Sequence, residues 1–270
     1  MKSKTPIFVC FVCLISLICL IYFLLYKSNL RILNLVLFSQ QSDYIEMYHQ
    51  TQTFYRNCPN VDTIYYLHDP SLQTEYHYNP QTNLLRIRGE ESYVPGILDK
   101  TIKAFQYAIY HLPTRYDYIF RTNISTVVDF RRLLPLIEQS PVEFGCGKIH
   151  CIQPGWRDVR GGITDERYVG IRYPFGTCII FSGDLLKRVL EKIDEINYTL
   201  IDDVSIGQFM SNYFSDITLK EFDSVFVHVE YEPDIEQKYK QFMIYRHRHD
   251  DRKKDVEKMK WLVKQLSTDT

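Results

Sequence analysis

Residues Ile7–Tyr26 form an unbroken run of twenty positions without a charged side chain, reading IFVCFVCLISLICLIYFLLY. A helix of about twenty residues spans the roughly 30 Å hydrocarbon core of a bilayer. A cleavable signal peptide would have a shorter apolar core of about 7–15 residues, followed by a cleavage site with small residues. The segment 24–31 (LLYKSNLR) offers no such site. The run therefore favours a transmembrane signal-anchor over a signal peptide.

The basic residues around this run give a slight orientation signal. Lys2, Lys4 and the amino terminus precede it, and Lys27 and Arg31 follow it. The positive-inside tendency then favours a cytoplasmic head, with the body on the lumenal or extracellular side of a Golgi-like, ER-like or host-derived membrane. The predicted organisation is a head at 1–6, a signal-anchor at 7–26, a stem at 27–31 and one domain at 32–270.

The composition of the chain is that of a folded protein. Hydrophobic residues make up 45% and charged residues 24%, which excludes a largely disordered chain. The formal net charge of −1 argues against a nucleic-acid partner, because a domain that binds nucleic acid is usually basic. The chain outside the apolar run contains no C-x-x-C pair, so a structural zinc site is not expected there. The four cysteines there allow three disulfide pairings without a choice among them: Cys58, Cys146, Cys151 and Cys178.

Strand-like and helix-like patterns alternate along the body, which predicts an α/β fold with a Rossmann-type mixed, mostly parallel sheet flanked by helices. The predicted strands are Ile32–Ser39, Val61–Leu67, Leu84–Arg88, Tyr116–Arg121, Thr177–Phe181, Ile217–Phe222 and Val225–Val229. One predicted helix follows a capping box at Asp43 and Glu46, and another has Pro95 in its first turn. A third spans Phe130–Ile137, and Pro135 should shorten or kink it. The remaining predicted helices run from a Ser182 cap to Ile196, from Asp202 to Phe214 and from Asp250 to Leu266.

Ligands of such sheets bind beyond the carboxyl ends of the strands. The residues at predicted strand ends are therefore candidates for a site, and these are Ser39-Gln40, His68-Asp69, the segment Arg121–Ser125 and the loop with Asp202-Asp203. In that segment, Asn and Ser side chains can hydrogen-bond a ribose or a phosphate, and Arg121 can pair with phosphate. A polar strand-to-helix connection, with Ser125 or Thr126 as a helix cap, explains the same residues and is favoured by spacing alone.

The pair Asp202-Asp203 opens a predicted helix, where the helix dipole stabilises carboxylates. Adjacent side chains point in different directions, so one aspartate can cap the helix while the other faces a cleft as a general base. Simple N-capping is an equally good explanation. A third cluster, Tyr245–Arg248 (YRHR), could neutralise a diphosphate through Arg246 and Arg248, although a solvated basic face of the last helix explains it slightly better.

Four motifs in sequence resemble the β-1,3-galactosyltransferase and Fringe group of glycosyltransferases, which are type II membrane enzymes with a GT-A fold. An aromatic strand enters the segment where that family has an Asp triplet, and further on a Tyr-Pro segment leads to a strand ending in Ser. An acidic pair with Val and Gly follows at the family's distance. The motifs are Tyr93–Lys103 (YVPGILDKTIK), Tyr116–Ser125 (YDYIFRTNIS), Tyr173–Leu186 (YPFGTCIIFSGDLL) and Ile201–Gly207 (IDDVSIG). The segment Arg121–Ser125 (RTNIS) also resembles the corresponding segment of glycosyltransferase-like proteins of large DNA viruses.

The chain departs from the family at the Asp triplet, which in the family binds a divalent metal that bridges the donor diphosphate. Asn123, Ile124 and Ser125 stand there instead. Neutral side chains are poor ligands for a hard cation such as Mn²⁺, so the metal is in doubt. His228 could match a histidine ligand of the family, but core packing is the favoured role for it.

The resemblance implies an inverting transferase that moves a sugar from a nucleotide-sugar donor, a UDP-sugar first among them, to a hydroxyl of a glycan or glycoprotein. Asp203 would be the general base and Asp202 would position it. Asn123, Ser125 and Arg121 would hold the donor ribose or phosphate. Asp69 and Ser39 would contact the base, and Arg246 and Arg248 would face the diphosphate. The alternative is a membrane-anchored, catalytically inactive protein of the same fold that binds glycans.

Overall fold

The computed structural model describes residues 30–222, 224–227 and 239–268. The predicted head and signal-anchor lie outside these ranges, as do most of the stem and His228. Within the described ranges, no helix is both long and apolar enough to cross a membrane. The signal-anchor and the type II orientation therefore stay predictions.

The body alternates strands with helices, as the sequence pattern predicts. The strands of the described residues are β1 (Ile32–Leu37), β2 (Val61–His68), β3 (Tyr76–Asn79), β4 (Leu84–Ile87), β5 (Tyr118–Asn123), β6 (Thr126–Val128), β7 (Phe144–Cys146), β8 (Ile149–Cys151), β9 (Arg172–Pro174), β10 (Cys178–Ser182), β11 (Leu219–Glu221), β12 (Ser224–Val227) and β13 (Ile244–His247). The α-helices are α1 (Ser42–Tyr55), α2 (Gly96–Tyr110), α3 (Phe130–Gln139), α4 (Gly183–Leu190), α5 (Asp202–Tyr213) and α6 (Arg252–Thr268).

Eight strands form one sheet in the order β11-β7-β10-β5-β1-β2-β4-β3. Strands β4, β2, β1 and β5 run parallel, whereas β3 and β10 are antiparallel to their neighbours. The sheet is therefore mixed and mostly parallel, and this prediction is confirmed. The strand order moves outward from β1 through β2 to β4 and then returns to β5 on the other side of β1. This reversal creates a topological switch point between β1 and β5.

The central strand β1 is buried on both faces, which explains its continuous apolar sequence. Ile32 and Val36 pack into a core with α1, α3 and α6 on one face. Leu33 and Leu35 pack into a second core with α2, α4 and α5 on the other face. Side chains alternate along the strand, so one short segment supplies both cores. The flanking helices are thereby fixed in two layers around the sheet.

Three local predictions differ from the structure. The capping box is wrong, because Gln41 is the N-cap residue of α1 and Asp43 lies in the first turn without capping it. Pro135 lies inside α3 without shortening it, since Leu133, Leu134 and Ile137 hold the helix to the core. Ser182 does cap α4 by accepting a hydrogen bond from the Leu185 amide at 3.2 Å. However, α4 ends at Leu190, and a separate 3₁₀ turn follows at Ile193–Glu195.

The basic cluster Tyr245–Arg248 does not lie on a helix face. Three of its residues belong to β13, which pairs with β6 and β12 in a separate three-stranded sheet. Tyr245 and His247 are fully buried, while Arg246 is partly buried and Arg248 is exposed. The prediction of a solvated basic face on the last helix is therefore wrong, because alternation along a strand sends two of these side chains inward. The four cysteines named above are all unpaired.

Gly207 allows α5 to approach β9 closely. A Cβ atom placed on Gly207 would lie 2.4 Å from the Cβ of Tyr173, 2.7 Å from its Cα and 2.8 Å from the Arg172 carbonyl oxygen. Two of these three atoms belong to the backbone, so rotation of a side chain cannot relieve the clash. The glycine of the Ile201–Gly207 motif is thus required by packing.

Gly207→Ala is expected to destabilise the fold by about 1–3 kcal/mol, because α5 and β9 must separate. The midpoint of thermal unfolding followed by circular dichroism should fall by about 2–10 °C. Ser211→Ala, at an exposed position of the same helix, is the matched control and should leave the midpoint unchanged or slightly raised. An unchanged midpoint in Gly207→Ala would contradict the packing argument.

Candidate active site

The switch point brings the ends of two parallel strands together. Leu37, the last residue of β1, is in register with Asn123, the last residue of β5. The helix α5 begins at the same edge, because Arg121 of β5 contacts Asp202 in its first turn. Three of the sequence-predicted segments therefore meet at one place in the fold.

Arg121 and Asp202 form a buried ion pair at the centre of this place. The Arg121 Nη2 lies 2.5 Å from the Asp202 Oδ2, and the two side chains are only 2% and 5% exposed. Arg121 also donates to the Gly176 carbonyl oxygen at 2.5 Å and to the Asn123 Oδ1 at 2.9 Å. The expectation that Arg121 binds a donor phosphate is therefore not met by this geometry, because its guanidinium faces the protein interior.

Gly176 connects Asn123 with Asp203. The Asn123 Nδ2 donates to the Gly176 carbonyl oxygen at 2.6 Å, and the Gly176 amide donates to the Asp203 Oδ2 at 3.0 Å. A Cβ atom on Gly176 would lie only 3.1 Å from that carboxylate oxygen. Asn123 and Asp203 thus lie at one site, on either side of a residue whose small size permits the contact. Gly176 stands in the matched Tyr-Pro segment, but its role there was not apparent from the sequence.

Asp203 is partly exposed and has the properties of a proton acceptor at neutral pH. Its second oxygen, Oδ1, accepts a hydrogen bond from the Val204 amide at 2.8 Å. Burial and the negative charge of Asp202 raise the pKa of Asp203 to about 7, against the opposing effects of the Gly176 amide and Arg121. The N-cap residue of α5 is Ile201, so neither aspartate is an N-cap residue. A carboxyl group with a pKa near the working pH suits a general base.

Ser125 and Arg246 form the neighbouring side of the site. The Arg246 Nη1 donates to the Ser125 hydroxyl, and the His247 amide donates to the Ser125 carbonyl oxygen at 2.8 Å. Burial and the nearby charge of Arg252 lower the pKa of Arg246 to about 9. No carboxylate of the described residues lies within 4.0 Å of the Arg246 guanidinium. The cations on this side are therefore concentrated and incompletely neutralised, which favours an anionic ligand.

Asp69 and Ser39 are not part of the connected cluster. The Asp69 carboxylate accepts hydrogen bonds from the Ser71 amide at 2.9 Å and its hydroxyl at 2.6 Å, and it pairs with Arg86 at 3.3 Å. These contacts hold a turn after β2, so the expected contact of Asp69 with a nucleotide base is not supported. Ser39 lies just beyond the end of β1 and is partly buried.

Lys100 is a buried charged residue near the site that the sequence analysis missed. Its Nζ lies 2.5 Å from the Glu91 Oε2 and 3.3 Å from the Phe38 carbonyl oxygen, at the end of β1. Burial lowers the pKa of Lys100, and the charge of Glu91 opposes this effect. The nine-residue spacing of Glu91 and Lys100 gives no sequence signal, because the two meet through a loop rather than along one helix face.

The side chains of Asn123 and Ser125 do not fit a divalent cation. Both polar atoms of the Asn123 amide are bonded, to Arg121 and to Gly176. The Ser125 hydroxyl accepts from Arg246. In the described part of the chain, no three His, Cys, Asp or Glu side chains are close enough to hold a metal ion. The guanidinium groups of Arg121 and Arg246, which contact these two side chains, would repel a divalent cation.

A cleft of about 430 Å³ lies elsewhere, beside the start of β5 and the start of α4, whereas the cluster described above lies at the end of β5. It includes Arg115, Tyr116 and Asp184 and contains none of the predicted site residues. Arg115 and Asp184 form a solvent-exposed ion pair with each other at 2.5 Å. The polar cluster at the switch point, rather than this cleft, is the candidate active site.

The raised pKa of Asp203 predicts how stability depends on pH. A free aspartate has a pKa of about 3.9, so between about pH 4 and 7 the folded protein binds more protons than the unfolded chain, and its stability falls as pH rises. Asp203→Asn removes this titration. From pH 4 to pH 8, the free energy of unfolding of wild type should fall by about 2–4 kcal/mol relative to the variant. Urea unfolding at several pH values measures the difference, and parallel curves would contradict the raised pKa.

No family model and no curated protein matches the sequence. The structure is similar to that of a glycosyltransferase involved in the glycosylation of the major capsid of PBCV-1, with a TM-score of 0.46 and 8% identity over 86% of this chain and 99% of the other. It is also similar to galactosyltransferase LgtC in complex with donor and acceptor sugar analogues, with a TM-score of 0.42 and 11% identity over 87% and 96% of the two chains. An active-site mutant of LgtC gives a TM-score of 0.42 and 11% identity over 86% and 95%. Such low values assign neither family nor function, and the resemblance to the β-1,3-galactosyltransferase and Fringe group stays a prediction.

Proposed function

We propose that the protein is a glycosyltransferase that moves a sugar from a nucleotide-sugar donor, a UDP-sugar in the first instance, to a hydroxyl of a glycan or glycoprotein. The observation that carries this proposal is Asp203, a partly exposed carboxyl group with a pKa of about 7 at the switch point of the sheet. Nucleotide ligands bind at such switch points. The predicted anchor would hold the site on the lumenal or extracellular side of a membrane, where glycan acceptors occur.

In the proposed reaction, the deprotonated carboxylate of Asp203 accepts the proton of the acceptor hydroxyl. The acceptor oxygen attacks the anomeric carbon of the donor, and a new glycosidic bond forms. The bond between that carbon and the diphosphate oxygen breaks, and the nucleoside diphosphate leaves with the electron pair. A single displacement of this kind inverts the configuration at the anomeric carbon.

Arg246 and Arg248 are suited to the diphosphate. Arg246 is partly buried beside Arg252 and lacks a carboxylate partner among the described residues, so a bound diphosphate would relieve the repulsion between these cations. Stabilisation of the leaving group by guanidinium groups takes the place of a metal ion in this proposal. Asn123 and Ser125 line the same edge and would position the donor.

Arg121 and Asp202 act through their neighbours rather than on the donor. Asp202 is bound to Arg121, and the pair fixes the first turn of α5 against β5. Asp203 follows Asp202 directly, so its carboxylate is held where the Gly176 amide can bind it. In this proposal Asp202 positions the base, and Arg121 positions Asp202.

A second candidate function is glycan binding without catalysis, which the lack of an Asp triplet at Asn123–Ser125 favours. Titration of the full-length protein with UDP-sugars and GDP-sugars, with and without Mn²⁺, separates the two. Saturable donor binding with slow release of nucleoside diphosphate supports the enzyme. Glycan binding without nucleotide affinity supports the binding protein.

Asp203→Asn is expected to reduce sugar transfer and donor hydrolysis by about 10²–10⁴-fold, since the amide cannot accept the proton. In wild type, the rate should rise with pH to a plateau with a midpoint near pH 7, because only the ionised carboxyl group is a base. Release of nucleoside diphosphate measures both. Asp184→Asn, at the exposed start of α4 in the cleft beside the start of β5, is the matched control and should keep wild-type rates. Near-wild-type transfer in Asp203→Asn would remove Asp203 from this role.

Arg246→Ala is expected to weaken the binding of UDP at least tenfold, because a charge-assisted hydrogen bond to phosphate contributes about 1.5–3 kcal/mol. Isothermal titration calorimetry with UDP at two salt concentrations measures the loss. Arg115→Ala removes an exposed arginine from the same cleft and should bind UDP as wild type does. Equal affinities in wild type and Arg246→Ala would place the diphosphate elsewhere.

A further inference from the structure

Tyr93 and Arg160 stack on each other, and Arg160 belongs to a loop that is hydrogen-bonded to the start of α5 through Gly161 and Ile201. The Arg160 guanidinium lies over the Tyr93 ring, with its central carbon 4.5 Å from the ring centroid. Tyr93 is 37% exposed, and Arg160 is exposed as well. A guanidinium stacked on an aromatic ring is held in one orientation while its N–H groups remain available.

Arg160 differs from the other arginines of its loop. Arg157 pairs with Glu166 at 2.6 Å, and Arg167 pairs with Asp165 at 2.6 Å. In the described ranges, no carboxylate lies within 4.0 Å of the Arg160 guanidinium, and Tyr93 is its neighbour instead. Its hydrogen-bond donors are therefore free to meet a ligand.

The loop that carries Arg160 is tied to the start of α5. Asp158 and Ile163 exchange two backbone hydrogen bonds at 2.8 and 3.0 Å, and the Asp158 Oδ1 accepts from the Gly161 amide at 2.9 Å. The Gly161 carbonyl oxygen then accepts from the Ile201 amide at 2.9 Å, one residue before Asp202. The position of Arg160 is thus fixed relative to the base by a short chain of backbone contacts.

The Asp158 carboxylate belongs to the same loop, two positions before Arg160. Burial and then the charges of Asp158, Asp203 and Asp202 raise the pKa of Tyr93, and Arg160 opposes them. A neutral polyhydroxylated ring would find a donor in Arg160, an acceptor in the Asp158 carboxylate and an aromatic side chain in Tyr93, which are the groups that small-molecule sites use for orientation.

We propose that Tyr93 and Arg160, with Asp158, form the acceptor subsite of the protein and that this subsite takes the pyranose ring of a neutral sugar. This subsite is an acceptor site only if the protein is the glycosyltransferase proposed above, so the proposal rests on that function. It deepens the function by naming the class of acceptor. It also assigns a role to the loop between β8 and β9, which presents Arg160 and Asp158 to the hydroxyl that Asp203 deprotonates.

Binding of methyl hexopyranosides to the full-length protein, followed by saturation-transfer NMR, tests the subsite without turnover. We expect these neutral glycosides to bind to wild type. Arg160→Ala should weaken neutral binding about tenfold or more, through loss of charge-assisted hydrogen bonds. Tyr93→Ala should also weaken it, and Arg160→Lys should bind between wild type and Arg160→Ala. Arg157→Ala, a change in the same loop, should bind as wild type does.

Circular dichroism and the unfolding midpoint of each variant separate loss of binding from loss of folding. In transfer assays, the KM of the glycoside should rise in Arg160→Ala by more than the KM of the donor. Wild-type binding in Arg160→Ala, or no binding of neutral glycosides to wild type, would overturn the subsite. Glycoside binding that depends on Arg160 in a protein that releases no nucleoside diphosphate would uphold the subsite and contradict the enzyme.

Discussion

The buried ion pair between Arg121 and Asp202 is the contact on which the rest of the site depends. It joins the central sheet to the first turn of α5 across 81 positions of sequence. Both side chains are almost fully buried, so loss of either partner would leave an uncompensated charge in the interior. Such a pair contributes little net stability compared with an apolar contact, but it specifies one arrangement of strand and helix. That arrangement places Asp203 beside Gly176.

The same pair sets the charge balance around the base. Asp202 is close enough to Asp203 to raise its pKa, and Arg121 is close enough to oppose the rise. Without the arginine, two adjacent carboxylates would be more difficult to ionise together. Lys100 and Glu91 add a second, neighbouring pair at the end of β1. The pKa of Asp203 near neutrality results from burial and from the charge of Asp202, which the Gly176 amide, Arg121 and the Val204 amide oppose.

The sequence predicts the layers of the fold better than the contacts of the site. Continuous apolar strands such as Ile32–Leu37 and the amphipathic helix Gly96–Tyr110 have periodicities that identify them without tertiary information. The strand Ile244–His247 was missed, because its two buried polar residues, Tyr245 and His247, resemble a solvated basic cluster when their burial is unknown. The burial of Arg121 was missed for a related reason. Its partner is distant in sequence, and only the folded sheet shows that the guanidinium faces a carboxylate instead of a ligand.

The distribution of charge across the site supports one direction for the reaction. Arg246, Arg248 and Arg252 lie on the side of β13, where Arg246 is partly buried among other cations. Asp158 and Asp203 lie on the side of the loop that carries Arg160, and their charges contribute to the raised pKa of Tyr93. A leaving diphosphate gains negative charge as its bond breaks, while the attacking hydroxyl loses a proton to a carboxylate. The first change is favoured on the β13 side and the second on the loop side. The neutral side chains of Asn123 and Ser125 fit this arrangement, because carboxylates at these two positions would neutralise the arginines of the proposed diphosphate site.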